Sequence, residues 1–470
     1  MMTKIKLLII LTLINSFVFS QEVTLFGNAK DYKNKKIIFY KYDNPITKNI
    51  KKLDSCIVSD NGDFNIKFDL NKTYKIFTNI GIYKAYLFAE PNKTYNIVLP
   101  PLVEKKLKDS LNPYFKPFEI NLGIKNLEKN DLNILIQKFD NILKPYLNLK
   151  FYDIYIKGRG SDIDSMITLL DTSFAKYNNP YIKNYVYYKT AFLKFVSYER
   201  SYKYITHYYF SGKPVLYNNV AYIDLFDNMY NDYFTDLGHS VKGKYIYSNV
   251  NLSKSSNVIM KSLSKEILTD DTCLLEFITL KGLNDAIYDN AFKKRFILQS
   301  LDTLIIQSKI NEHKIIAQKI KDKILNTKPK QNIKSFDFSL LNKDSTYVTL
   351  KDFRGKYVYL NFMYTKAYSC MKDYSLLEKI QKKYGKELSV VTIFLDTDVK
   401  KLRQFLNKNN YSWTFLSIGK NKKLISDYNV IAYPTYILID PYGKIIANPA
   451  RKPQEYFERY FVTKVLRNRK

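Results

Sequence analysis

The feature that most constrains this chain is the stretch from Tyr357 to Lys372, where a strand pattern passes into a helix pattern within a few residues. An apolar run ends at Phe362, a short polar link follows, and a helical pattern begins near Ala367 with Cys370 in its first turn. The amino end of a helix carries partial positive charge, which stabilises a nearby thiolate. The sequence therefore predicts a strand that positions a helix terminus with one thiol, three residues after an alanine.

Strand and helix patterns alternate around this stretch, from residue 333 to residue 470. After the helix that begins near Ala367, strands are predicted at Ser389–Phe394 and Thr435–Ile439, with a helix at Asp398–Asn407 between them. A closing helix is predicted over Pro453–Leu466. Strands that alternate with helices are typical of a sheet covered on both faces, so the fold class predicted for this region is α/β.

Four motifs give this region a resemblance to a known family. They are Asp352-Phe353-x-Gly355-Lys356, Asn361-Phe362, the cysteine in an Ala-x-x-Cys spacing, and the segment from Val430 to Gly443 around Pro434. Together they resemble the TlpA/ResA-type thioredoxin-like proteins, which are exported thiol:disulfide oxidoreductases. The resemblance implies a thioredoxin-like domain over residues 333–470.

The resemblance also implies roles for individual positions. The family has Trp-Cys-x-x-Cys where this chain has Lys366 and Ala367, so Ala367 stands at the position of the nucleophilic cysteine. Cys370 stands at the position of the second cysteine, which resolves the mixed disulfide. Tyr433 and Pro434 stand at the family's cis-proline, so a cis bond that lies beside a bound peptide is expected there.

A methyl group cannot attack a disulfide, so the resemblance and the residues disagree on whether this is an enzyme. The first hypothesis is a redox-silent protein that binds a peptide or a protein partner in the cell envelope beside Pro434. The second is residual thiol–disulfide exchange through Cys370, and the third is an envelope structural protein that binds polymer. A peroxiredoxin needs Thr-x-x-Cys, and the spacing from Thr365 to Cys370 is too long for it.

The amino end of the chain has the pattern of a secretory signal over residues 1–20. Lys4 and Lys6 precede an apolar run from Leu7 to Leu13, and the small-residue rule places cleavage before Gln21. No later run reaches the length that a membrane helix needs. We therefore expect a mature protein in the periplasm or cell envelope, without a transmembrane segment.

Two further domains are predicted between the signal and residue 333, so the chain is multidomain. Residues 21–105 alternate in strand patterns, with Phe64, Ile66 and Phe68 on one face and a predicted tight hairpin at Asn61-Gly62, which indicates a β-sandwich. Residues 120–326 have helical periodicity and predict a central all-α domain.

Composition excludes several kinds of site. The net charge of +31 comes from lysines along the whole chain, which predicts a solvated surface, and no nucleic-acid motif accompanies it. Cys56 and Cys273 are expected to be small buried residues. The three histidines lack metal-site spacing, and His313, on a lysine-rich helix, is expected to be exposed, so no metal and no cofactor is predicted. The sequence does not specify the oligomeric state.

Overall fold

The structure is a computed structural model that describes residues 21–110, 112, 115–156, 163–197, 201–239, 243–289, 291–326, 333–364, 367–396, 399–409, 411–421 and 423–466. The predicted signal at residues 1–20, and the link residues Thr365 and Lys366, lie outside this set. Within it, no helix is long and apolar enough to cross a membrane.

The strands, in chain order, are β1 Glu22–Asn28, β2 Lys36–Tyr42, β3 Ile50–Ile57, β4 Asp63–Asp69, β5 Tyr74–Ile80, β6 Tyr83–Ala89, β7 Thr94–Val98, β8 Phe118–Asn121, β9 Gly123–Ile124, β10 Ile333–Lys334, β11 Ser339–Asn342, β12 Tyr347–Thr349, β13 Tyr357–Met363, β14 Leu388–Phe394, β15 Thr414–Ser417, β16 Thr435–Ile439 and β17 Lys444–Ala447.

The α-helices are α1 Leu107–Ser110, α2 Leu132–Phe151, α3 Ile163–Phe174, α4 Pro180–Val196, α5 Tyr202–Ile205, α6 Val220–Tyr230, α7 Tyr233–His239, α8 Lys244–Leu252, α9 Ser256–Ile267, α10 Thr272–Ala286, α11 Lys294–Gln307, α12 Asn311–Asn326, α13 Tyr368–Tyr384, α14 Val399–Asn407, α15 Lys423–Asp427 and α16 Phe457–Tyr460. The closing helix is not continuous, because α16 is preceded by a 3-10 turn at Pro453–Glu455 and followed by a π-helical segment at Phe461–Leu466.

The chain divides into two compact units. The first contains Met1–Leu102 and Phe118–Ile324, and the second contains Val103–Pro117 and Leu325–Lys470. The β-strands and helices of the N-terminal and central regions thus fall within one unit. The short segment Val103–Pro117 belongs to the second unit although it lies between β7 and β8 in sequence. We call it the inserted segment.

The first unit begins with a sandwich of two sheets. Their strand orders are β4-β1-β7-β9 and β3-β2-β5-β6-β8. In β4 every second residue is buried, as the alternation of Phe64, Ile66 and Phe68 predicts. These side chains pack with Val23 and Leu25 of the neighbouring strand β1, and with residues of the other sheet such as Ile37, to form the sandwich core.

The predicted hairpin at Asn61-Gly62 is wrong. The turn joins β3 to β4, which lie in different sheets, and of the two turn residues only Gly62 has a positive φ, at +90°. A type I′ hairpin needs positive φ at both residues. The Asn-Gly pair here connects the two sheets of the sandwich, because β4, which carries Phe64 and Ile66, pairs with β1 and not with β3.

Helices α2–α12 follow the sandwich and enclose their own apolar core. Asp131 caps α2 by accepting from the backbone N–H of Asn133 at 2.8 Å, and Asn179 caps α4 ahead of Pro180 in the first turn. Such caps satisfy backbone donors that a helix leaves open at its amino end. The tyrosines of α4 are largely structural, since Tyr181, Tyr185 and Tyr188 are buried in this core.

The second unit contains the α/β sheet that the sequence predicts. Its strand order is β10-β17-β16-β13-β14-β15-β11-β12, with β13–β14 and β14–β15 parallel and β13–β16 antiparallel. Tyr359 and Met363 of β13 face one apolar cluster, which also contains Leu377 of α13. Leu360 and Phe362 face a second cluster on the opposite side, so the central strand is buried on both faces.

Candidate functional site

The candidate site lies at the carboxyl end of the central strand β13, where α13 begins. Ala367 is the N-cap residue of α13 and makes no side-chain capping bond. Its carbonyl oxygen accepts from the backbone N–H of Cys370 at 2.9 Å and from that of Met371 at 3.0 Å. The alanine and the cysteine therefore occupy the first turn of a seventeen-residue helix, as expected from the sequence.

Cys370 is fully buried, at 0% exposure, on the sheet side of this turn. Three tyrosines lie around it: Tyr374 and Tyr436 share its apolar cluster, and Tyr433 packs against that cluster. Burial is the main cause that raises the pKa of each of these phenols, and the sulfur adds to it. A reagent in solvent has no direct approach to this thiol in the folded chain.

The other two cysteines do not complete the site. Cys56 and Cys273 belong to the first unit, and in the described part of the chain the three cysteines form no disulfide. Both are half-buried rather than buried as expected, and burial raises the pKa of each thiol. A raised thiol pKa leaves less thiolate at neutral pH, so neither cysteine has the properties of an activated nucleophile.

The peptide bond between Tyr433 and Pro434 is cis. Tyr433 is half-buried, and its ring lies 4.9 Å from that of Tyr364 in an edge-to-face contact. Tyr433 and Ala367 both pack against the apolar cluster that contains Cys370, so the proline loop lies beside the first turn of α13. The structure thus brings together Ala367, Cys370, Tyr433 and Pro434, the four residues selected from the sequence.

Large apolar side chains are exposed on both elements of this site. Tyr368 and Met371, in the first turn of α13, are 72% and 54% exposed, and Ile431, two residues before Tyr433, is 73% exposed. Exposed apolar residues that cluster around a preformed site are typical of protein-interaction surfaces. We call these three residues and Tyr433 the loop patch.

A buried carboxylate close to Cys370 was missed by sequence reasoning. Asp373 is 1% exposed and accepts from the hydroxyl of Tyr436 at 2.5 Å and from Nε2 of Gln454 at 2.8 Å. It lies one helical turn after Cys370, and residues three apart share a helix face. The signal was present in the sequence, since an acid stands on a face that also carries Tyr374 and Leu377, both buried.

A second polar group is buried near the same end of β13. Asn361 is unexposed and shares a strand face with Tyr359 and Met363, yet among the described residues its side-chain amide has no hydrogen-bond partner. Leaving a buried amide unsatisfied costs roughly 1–3 kcal/mol. Such groups are rare in native structures and mark positions where stability is not the only requirement.

The expected thiol labelling pattern follows from these burials. We expect a thiol reagent such as DTNB to leave Cys370 unmodified in the native chain and to label all three cysteines after denaturation. Cys56 and Cys273 should react slowly in the native state, because burial raises the pKa of both thiols. The Cys370→Ser variant is the control. It should lower the number of thiols labelled in the denatured chain by one and leave the number labelled in the native chain unchanged. Rapid native labelling that disappears in this variant would contradict the burial of Cys370.

Comparisons with known proteins match part of this chain. The AhpC/TSA family profile matches residues 332–448. "Thioredoxin-like protein YneN" of Bacillus subtilis (strain 168) is 35% identical over 112 residues, which are 23% of this chain and 65% of that protein. "Thiol-disulfide oxidoreductase ResA" of Bacillus cereus (strain ATCC 10987 / NRS 248) is 33% identical over 126 residues, which are 26% of this chain and 72% of that protein.

Solved structures match a similar share of the chain. A thiol-disulfide oxidoreductase from Bacteroides fragilis NCTC 9343 is 24% identical, with a TM-score of 0.25, and the match covers 27% of this chain and 96% of that one. A thiol:disulfide interchange protein from Bacteroides sp. is 21% identical, with a TM-score of 0.27, and the match covers 29% of this chain and 90% of that one.

Proposed function

This chain belongs, through its C-terminal region, to the ResA-type family of thioredoxin-like thiol-disulfide oxidoreductases, and we propose that it is a redox-silent member that binds a peptide or protein partner. The observation that carries the proposal is the alanine at the amino end of α13. The ordinary dithiol reaction begins with attack by an exposed thiolate in that turn. Ala367 has no sulfur, and the thiol at Cys370 is buried.

The loop patch supports the binding half of the proposal. The cis Tyr433–Pro434 bond and the first turn of α13 lie side by side, and Tyr368, Met371 and Ile431 project apolar surface around them. An extended peptide that lies along this patch would bury apolar area without any covalent step. The burial of Cys370 makes residual exchange through that thiol the weaker candidate.

The proposed location is the periplasm or cell envelope. It rests on the signal pattern of residues 1–20, with cleavage before Gln21, and the partner is accordingly an envelope protein or peptide. The mass of the amino-terminal peptide of protein recovered from the envelope fraction tests this, and an intact Met1 on that protein would overturn it.

Binding without turnover is the expected result for the mature chain. The probe for binding is fluorescently labelled insulin B chain, reduced and alkylated so that it cannot exchange disulfides, followed by anisotropy. The probe for turnover is reduction of intact insulin with excess dithiothreitol. We expect the B chain to bind and insulin to be reduced no faster than by dithiothreitol alone, and robust turnover would contradict redox silence.

A matched pair of variants assigns the binding to the loop patch. Ile431→Asp places a charge beside the cis-proline, and we expect it to weaken B-chain binding by about tenfold, the effect of losing one apolar anchor. Tyr442→Asp is the control, because Tyr442 is 85% exposed and follows the opposite end of β16. Failure of the B chain to bind, or equal losses in both variants, would overturn the proposed use of this surface.

A further inference from the structure

A cavity of about 430 Å³ lies within the first unit, far in sequence from the loop patch. Its floor is the outer face of the sheet β3-β2-β5-β6-β8. Ile76, Ala85 and Leu87 of this sheet point into the sandwich core, so the alternate residues Phe77 and Tyr86 point the other way and line the cavity. The volume falls within the range of roughly 300–1,000 Å³ that is typical of small-molecule sites.

Aromatic rings and amides form much of the lining. Tyr42 and Tyr86 of the sheet face the helical side, Tyr74 reaches the cavity from the first position of β5, and Tyr185 and Asn218 complete the wall. Tyr42 is 38% exposed, and Tyr74 and Tyr86 are partly exposed. Tyrosines supply an apolar ring face and a hydroxyl that donates and accepts hydrogen bonds.

A buried polar relay fixes one of the lining rings. The hydroxyl of Tyr217, which lines the cavity, lies 2.8 Å from Nε2 of His313, and Nδ1 of that histidine lies 2.8 Å from the carboxylate of Glu276. Glu276 also accepts from Ser308 at 2.6 Å. His313 is fully buried, so the exposed position expected for it is wrong. A satisfied buried network of this kind rigidifies the groups that it connects, and the Tyr217 ring is therefore held in one place.

Most charges of the lining are already paired, and the exception among the described residues is the carboxylate of Glu312. The four lysines of the lining make ion pairs with acids: Lys48 with Asp227 at 2.6 Å, Lys75 with Glu119 at 3.3 Å, Lys84 with Glu119 at 2.8 Å, and Lys189 with Asp224 at 2.7 Å. Among the lining acids, Asp43 pairs with Lys319 and Asp140 with Lys144. Burial tends to raise the pKa of Glu119, but its bonds to Lys84 and Lys75 outweigh this and hold the pKa below its usual value.

This charge arrangement selects among ligands. A ligand with net negative charge would have to break an existing pair or remain without a counter-ion, and both outcomes cost free energy in a partly buried site. A neutral ligand with many hydroxyls avoids that cost. Its hydroxyls can donate to the carboxylates and accept from the ammonium groups, while its C–H faces lie against the tyrosine rings.

We propose that this cavity is a binding site for a neutral saccharide of about two sugar units. The ring-bearing sheet supplies the apolar contacts, and the ion pairs around the rim supply donors and acceptors in fixed positions. The site does not depend on the thiol chemistry of the second unit, so it gives the chain a second binding function.

Calorimetric titration of the mature chain with defined disaccharides tests the proposal. The probes are maltose, cellobiose, lactose and N,N′-diacetylchitobiose, with the anionic hyaluronan disaccharide for comparison. We expect at least one neutral disaccharide to bind with a Kd between about 10 μM and 1 mM, and at least tenfold more tightly than the anionic one. Absence of binding by every neutral disaccharide, or preferential binding of the anionic one, would overturn the proposal.

Two variants assign such binding to the cavity. Tyr42→Ala removes a ring from the floor and should weaken binding about tenfold, whereas Tyr347→Ala, which removes a tyrosine that is 68% exposed on β12, should leave it unchanged. Glu119→Gln leaves Lys75 and Lys84 without their shared carboxylate, so it should reduce the preference for neutral over anionic disaccharide. An unchanged preference, with a normal circular dichroism spectrum, would contradict the role given to the ion pairs.

Discussion

The Ala367→Cys variant should reduce insulin in the presence of dithiothreitol, with a rate on the order of 100-fold above that of the wild-type chain, because it returns the missing nucleophile. The substituted position is the N-cap of α13, where the partial charge of the helix lowers a thiol pKa. It lies three residues before Cys370 on the same helix face. A thiolate there would attack the substrate disulfide, and Cys370 would then displace the reduced substrate.

The measurement is the turbidity of precipitating insulin chains, with two controls. Ala367→Ser adds an oxygen of similar size and should stay at background, since a hydroxyl cannot exchange with a disulfide. Ala367→Cys combined with Cys370→Ser, reduced beforehand and mixed with insulin without dithiothreitol, should stop at a mixed disulfide that non-reducing electrophoresis detects. If the single variant stays at background, then the missing sulfur is not what silences this site, and the proposal fails at its central step.

The second large effect is expected in the first unit, where Glu276→Leu should destabilise the fold by about 2–5 kcal/mol, because two buried partners would each lose their hydrogen-bond acceptor. Glu276 is 5% exposed and its carboxylate serves both His313 and Ser308. Leucine fills a similar volume but accepts no hydrogen bond. The imidazole and the hydroxyl would then be buried without their acceptor.

The thermal unfolding midpoint, followed by far-ultraviolet circular dichroism, should fall by on the order of 10 °C. Asp322→Leu on the exposed face of α12 is the matched control and should change stability by less than about 0.5 kcal/mol. Glu276→Leu combined with His313→Phe should recover part of the loss, because it removes both sides of the pair. An unchanged midpoint in the single variant would show that the relay does not stabilise this unit.

Local patterns in the sequence predict the elements that surround the candidate site. The apolar run before Phe362 predicts β13, the amphipathic pattern after Ala367 predicts α13, and both are present with ends within one or two residues. These signals are local. A strand buried on both faces must be apolar throughout, and a half-buried helix must carry an apolar residue every three to four positions.

Long-range contacts account for what the sequence does not reveal. His313 follows a charged helix pattern and is nevertheless buried, because Tyr217 and Glu276, 96 and 37 residues away, surround its ring. The Asn61-Gly62 turn has the composition of a hairpin, but its strands pair with other partners. Asp373 becomes recognisable as part of the site only when Tyr436 and Gln454 are placed against it.

The inserted segment has a consequence for biosynthesis. Leu107 packs against a core of the second unit formed by residues such as Leu360 and Ile437, more than 200 positions later in the chain. At the usual ribosomal speed of roughly 5–20 residues per second, that surface emerges tens of seconds after the segment does. The nascent chain must therefore carry Leu107 without its native partners while the rest is translated, and the inserted segment reaches its native packing only after the last strands of the sheet have been made.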